Sequence, residues 1–257
     1  MELAIAVLVL GLLIGSMSPS LLSHTRARKF AETQRILAKA SEALLGYAAA
    51  NGYFPCPASS TSNGVEVLTT PGDHTSLCHS SVNGTNVYIG FLPAVTLGFE
   101  PIDANGYAID AWDFPQSRIR YAVANANVNG WSRPFTRPDG MRNATMGAIA
   151  ALEPTPPTVV STSPLLHVCK DGNLVTASGC TNANNDLATN AIVVIWSLGE
   201  NLTTGGTAPH EDKNLDNDRV FVLAPYSTVA GSIFDDQLIW IGTSTVFGKL
   251  IAAGMLP

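Results

Sequence analysis

Four acids crowd eight positions in the last fifth of the chain: Glu211, Asp212, Asp216 and Asp218. Asp212, Asn214, Asp216 and Asp218 fall at alternate positions, shortly after a Gly205-Gly206 pair. Hard oxygen donors at alternate positions of a turning loop suit a calcium ion. The spacing is not that of an EF-hand, because Asn217 stands where the sixth-position glycine belongs and no glutamate stands at the twelfth position. The expectation is one calcium ion held over residues 205–218, with Asp212, Asp216 and Asp218 as carboxylate ligands. The alternative is a solvated acidic loop.

The cysteines are the second group with chemistry to offer. Cys56, Cys78, Cys169 and Cys180 form two sequence-local pairs, each bracketing Gly, Asn and Ser. No C-x-x-C spacing occurs, which weakens zinc and redox readings. Disulfides Cys56–Cys78 and Cys169–Cys180 are expected, since closing such loops removes entropy from the unfolded chain. Four buried free thiols are the alternative. His74 and His79 beside Cys78 offer a metal set with Cys56, but pairing explains the same cysteines. Disulfides place the domain in a periplasmic or extracellular compartment. No G-x-S-x-G elbow, Walker loop, H-E-x-x-H or G-x-G-x-x-G is present, and no enzyme is expected. Trp112, Trp131, Trp196 and Trp240 read as core or turn anchors rather than a sugar-binding surface.

These groups need a scaffold, and the first fifty residues supply its clearest part. Residues 3–22 form an apolar run, which as a helix would be about 30 Å long and match the hydrocarbon core of a bilayer. A secretory signal peptide is excluded on two grounds. No basic region precedes the run, and the helical pattern continues beyond it. Over residues 26–50, Phe30, Thr33, Leu37, Ala40, Leu44 and Tyr47 recur at spacings of three and four, one face of an amphipathic helix. Asn51-Gly52 is the stop. Glu2 is a carboxylate beside an apolar spanning segment, costly unless paired or left at the interface. Pro19, close to Gly15, Ser16 and Ser18, breaks the helix locally.

After Cys56 the texture turns to short strands, expected over 87–92, 118–124, 192–197, 219–223 and 237–241, with a terminal helix over 243–255. Residues 153–164 hold several prolines and read as a loop. The organisation expected is a spanning or filament-core segment over 1–22, an amphipathic continuation over 23–52 and one disulfide-bonded α+β domain over 53–257. Charged residues are only 13% of the 257-residue chain, against about 25% on average, so the surface is built largely from Ser, Thr, Asn and Gly. Net charge is −6, with no basic run beyond Arg26, Arg28 and Lys29, which excludes a nucleic-acid partner.

Glu2-Leu-Ala-Ile-Ala-Val-Leu-Val-Leu-Gly-Leu-Leu-Ile-Gly, with Pro19 seventeen residues beyond Glu2, resembles the N-terminal segment of type IV pilins and type II secretion pseudopilins. Phe54-Pro55-Cys56-Pro57-Ala58 resembles the helix exit of pseudopilin-like proteins. Asp110-Ala-Trp112 followed by Arg120-Tyr121-Ala122 is similar to their Asp-x-Trp turn and strand, although Asp113 replaces the usual glycine. Ser197-Leu-Gly199 with Gly205-Gly206 resembles the calcium loop of major pseudopilins, and Phe234-Asp235-Asp236-Gln237 with Trp240 the ending of prepilin-like proteins.

The resemblance implies a pilin-like fold, a long hydrophobic then amphipathic helix packed on an antiparallel sheet. In that family a leader and several mature residues precede the glutamate, so they are expected upstream of Met1. It further implies assembly through Glu2 and Pro19, other pilin or pseudopilin subunits as partners, and the inner membrane before assembly. The basic trio after the anchor argues for the opposite orientation, and a leader's own positive charges would outweigh it. The function expected is a minor or tip-proximal subunit of a type IV pilus or secretion pseudopilus. The alternative is a membrane-tethered periplasmic or surface binding module that does not polymerise.

Overall fold

Ala, Leu and long straight-chain residues dominate the segment leading to Asn51, and they build one helix, α1 (Glu2–Asn51). The computed structural model describes residues 24–79, 87–112, 117–153, 164–201, 209–229 and 231–256. Glu2, Pro19 and the expected anchor over 1–22 therefore lie outside the described residues. Among the described residues no helix is long and apolar enough to cross a membrane.

From His24 onward α1 divides as its pattern demands. Thr33, Leu37, Ala40 and Leu44 are fully buried, and Ile36, Leu45 and Ala48 widen the stripe. Phe30 and Tyr47, at its two ends, are half-buried. Burying a side chain the size of Leu37 or Leu44 contributes roughly 1.5–3 kcal/mol. Gly52, with φ at +80°, donates its N–H to the Ala48 carbonyl at 2.7 Å, and this left-handed turn ends the helix.

The remaining elements follow in order: β1 (Val87–Phe91), α2 (Ala94–Leu97), β2 (Arg120–Ala124), β3 (Asn127–Val128), β4 (Trp131–Ser132), α3 (Gly140–Ala144), α4 (Met146–Ala150), β5 (Leu166–Cys169), β6 (Val175–Thr176), β7 (Gly179–Cys180), β8 (Asp186–Ser197), α5 (Pro209–Leu215), β9 (Val220–Val222), β10 (Gln237–Gly242) and α6 (Thr243–Ala252). Six strands make the main sheet in the order β1-β2-β8-β5-β9, with β10 also pairing β8. β8 is the spine. Its C-terminal half, where Ala191 to Ser197 are all buried, pairs antiparallel with both β2 and β10, and its N-terminal half pairs with β5. Helices α1 and α6 pack against β8 and β10.

The sheet is mixed, which corrects the expectation of a purely antiparallel one. β5 and β9 run parallel, with His167 opposite Val220 and Cys169 opposite Val222. Parallel neighbours need a long crossover, and here β8 and α5 supply it. β5 was not expected, because four residues are too few to carry a periodic signal. Strands on both sides of residues 153–164 share the one sheet. Two disulfides, Cys56–Cys78 and Cys169–Cys180, close the loops expected of them.

Candidate metal centre

The register of two strands decides which acids meet. β10 pairs antiparallel with β8, with Gln237 opposite Ser197. Residues just before Gln237 therefore face residues just after Ser197. Asp235 meets Gly199 in this way. Gly199 has φ at +67°, and a Cβ there would sit 2.4 Å from Asp235 Oδ1, so only glycine fits. The loop beyond it turns its amides onto the same side chain: Glu200 N and Asn201 N donate to Asp235 Oδ2 at 2.9 and 3.0 Å. Ser197 itself is tied down by donating through Oγ to Asp110 Oδ2 at 2.6 Å, so the 110–112 turn and the 197–199 turn form one unit.

The third wall is α5. Its first turn projects Glu211 inward, where the carboxylate accepts from Asn201 Nδ2 at 2.9 and 3.0 Å and from Asp235 N at 3.2 Å. One turn later Asn214 donates to Asp236 Oδ2 at 2.8 Å and brackets Val222 through both its N–H and its carbonyl. One carboxylate oxygen each from Glu211, Asp235 and Asp236 then lies within 4.8 Å of the others. All three residues are buried, with exposures of 3%, 6% and 4%. Among the described residues none of the three makes a salt bridge, and Asp235 Oδ1 is buried without a hydrogen-bond partner.

Three buried carboxylates this close cannot all be ionised cheaply. Burial pushes the Asp235 carboxyl up to about 6, and the Glu211 charge adds to the rise, against the Glu200 and Asn201 amides. Burial also drives Asp236 well above the usual carboxylate range, with the Asn214 hydrogen bond opposing it. Protons or a cation can relieve the repulsion. The donors are all hard oxygens, the set that calcium or magnesium takes and that softer metals do not select. The orphaned Asp235 Oδ1 is the atom that fits a cation best.

No family model, no curated protein and no solved structure matches this chain.

The structure redistributes the acids expected to hold calcium. Residues 209–215 are helical, so the alternate-position pattern does not act as an extended loop there. Asp212 is exposed on α5. Asp216 and Asp218 both grip Lys213 Nζ, at 2.5 and 2.7 Å, and Asp218 also accepts from Val220 N. They are thus engaged with a lysine. Residues 202–208, with Gly205 and Gly206, lie outside the described residues, as do Asp113 and Pro115. Glu211 belonged to the visible cluster, whereas its partners lie 24 residues further on. The signal for them was an adjacent acid pair, Asp235-Asp236, directly ahead of an apolar strand in a chain otherwise poor in charge. The disulfide takes both cysteines of the alternative metal set, and His74 Nδ1 instead lies 3.8 Å from Glu66 Oε2. Trp112 and Trp196 are core residues.

Proposed function

We propose that this chain is an anchored, exported structural subunit, minor or tip-proximal, of a filament of the type IV pilus or type II secretion pseudopilus kind. The observation that carries this reading is the division of labour along α1. The domain buries one face of the helix from Thr33 to Ala48. Ahead of that face in the sequence stands the apolar run of residues 3–22, which must find lipid or other copies of such a segment to leave water. The disulfide-stapled domain supports export, and the role needs no catalytic chemistry. Its partners are other subunits through the N-terminal helix, with the inner membrane as host before assembly.

Glu2 tests the reading. A carboxylate among packed apolar helices costs several kcal/mol unless paired, so a neighbouring subunit's amino terminus is its proposed partner. A simple tether leaves Glu2 at the wet interface and makes no such demand. Glu2→Ala is expected to leave membrane insertion and the folded domain intact and to reduce recovery of the protein in sheared filaments. Normal incorporation of the variant would favour the alternative, a tethered binding module that does not polymerise.

Calcium remains part of the proposal, now at Glu211, Asp235 and Asp236. The cation would neutralise three buried carboxylates and lock the 199–201 turn, α5 and the start of β10 together. Added calcium should raise the melting temperature by mass action, and a chelator should reverse it.

A further inference from the structure

A cavity of about 360 Å³ opens between α1, β10 and the segment that follows β9. Phe30 and Leu37 of α1, Leu223 and Tyr226 after β9 and Ile239 of β10 give it apolar walls. The Phe30 and Tyr226 rings meet edge-on, with centroids 6.5 Å apart. Small-ligand sites are concave in this way, mostly apolar, with a few polar groups that fix orientation.

One polar group in this wall is left without work. Gln237 and Ile239 are alternate residues of β10 and so share a face of the sheet. Gln237 lines the cavity with Ile239 and is only 2% exposed. Among the described residues neither its Nε2 nor its Oε1 has a hydrogen-bond partner. A buried amide unpaired at both ends is costly, and a ligand that brings one donor and one acceptor removes the cost. Asp235 and Asp236 also reach the cavity, but Asp236 Oδ2 accepts from Asn214 and Asp235 Oδ2 from two backbone amides.

The lining selects the ligand. Among the described residues two acids and no lysine or arginine line the cavity, which disfavours anions. A sugar needs a partner for each hydroxyl it buries, and most of this wall is hydrocarbon. An extended peptide residue has the matching inventory. Its N–H and C=O point to the same side, as when two strand residues exchange both bonds, and a primary amide offers their complement side by side. We propose that this cavity binds an extended, uncharged apolar peptide segment of a partner protein, with Gln237 pairing to the backbone of one of its residues. A turn of the Gln237 side chain between staggered rotamers presents its amide to the peptide. Apolar side chains of the segment fill the space among Phe30, Leu37 and Ile239. Such binding needs neither an anchor nor a filament.

The full chain in phosphatidylcholine nanodiscs is irradiated with acetyl-Ser-Ala-Leu-Ala-Ser-amide whose leucine carries a diazirine, and the labelled positions are mapped by mass spectrometry. The expected labels fall on Leu223, Tyr226 and Ile239, and the unmodified peptide competes them away. Methylating the leucine nitrogen of the competitor removes its N–H and should weaken competition roughly tenfold. Gln237→Met should lose the same factor, and on that variant the N-methyl group should make no further difference. Without peptide, Gln237→Met is expected to melt at or above the wild-type temperature, because a buried unpaired amide has gone. A lower melting temperature would show the amide to be satisfied within the fold and would overturn the proposal. Equal competition by the two peptides on the wild type would mean that the cavity takes apolar groups without reading a backbone, and the proposal fails. Competition by maltose in place of the peptide would make the cavity a sugar site, and label scattered over the surface would leave no peptide site. Either result overturns the proposal.

Discussion

At the scale of single residues, Asp235 is the most informative position. Its carboxyl titrates near 3.8 when unfolded and at about 6 when folded, raised first by burial. Between those values the folded state holds a proton that the unfolded state has released. Stability from this group is therefore full below about 4 and is lost as pH rises through about 6. A shift of that size corresponds to roughly 3 kcal/mol. Asp235→Asn retains an oxygen for the Glu200 and Asn201 amides and removes the titration. In chelator, the variant is expected to match the wild type near pH 4 and to melt higher at pH 7. With calcium the order should reverse, because the variant has lost a ligand. Thermal melts of both proteins across pH 4–7, with and without calcium, check this. A variant that melts lower than wild type in chelator at pH 7 would show the carboxylate to be a purely structural acceptor. Gly199→Ala should act on the same site from outside, since its Cβ meets Asp235 at 2.4 Å. Its expected signature is a smaller calcium-induced shift together with lower stability.

At the scale of elements, α1 and the two disulfides carry the domain. Leu37 has no exposed surface, so Leu37→Ala is expected to cost about 2–5 kcal/mol in urea unfolding. Gln34→Ala on the exposed side of the same helix should stay within about 0.5 kcal/mol. Cys56–Cys78 and Cys169–Cys180 span 22 and 11 residues. Removing either pair by Ser substitution should cost roughly 2–3 kcal/mol in the chain-entropy account. Cys169–Cys180 also joins β5 to the β6–β7 hairpin, beside the parallel β5–β9 pair. Its loss should therefore show first as faster hydrogen exchange in β9.

At the scale of the whole molecule, the buried stripe of α1 begins at Thr33. The part of the helix that packs on the domain, Thr33 to Ala48, lies wholly beyond the first 22 residues. A chain lacking residues 1–22 is expected to fold with both disulfides and the same calcium response, and to appear in the soluble fraction. Circular dichroism, non-reducing peptide mapping and fractionation check it. A truncated chain that aggregates with free thiols would show that the apolar run also helps to build the domain.

Some of this was legible residue by residue. The three-four spacing of Thr33, Leu37, Ala40 and Leu44 is local and predicts the buried face correctly, because a helix aligns such positions whatever it later packs against. The strand around Ile192–Ser197 and the strand from Gln237 announce themselves as runs of β-branched and aromatic residues. The cysteine pairs were readable because nearby sulfurs are the cheapest to bring together. The parallel β5–β9 pairing and the acidic centre were not readable, because neither is local. Asp212, Asp216 and Asp218 look like ligands in a row of letters, yet a single lysine, Lys213, turns toward two of them once residues 209–215 coil into a helix. Glu211, Asp235 and Asp236 look unrelated, and they meet because Gln237 stands opposite Ser197 across two antiparallel strands while α5 docks beside β9. A register is chosen by the burial of whole strand faces, so the position of a carboxylate 24 residues away in the chain follows from packing that no short stretch of sequence encodes.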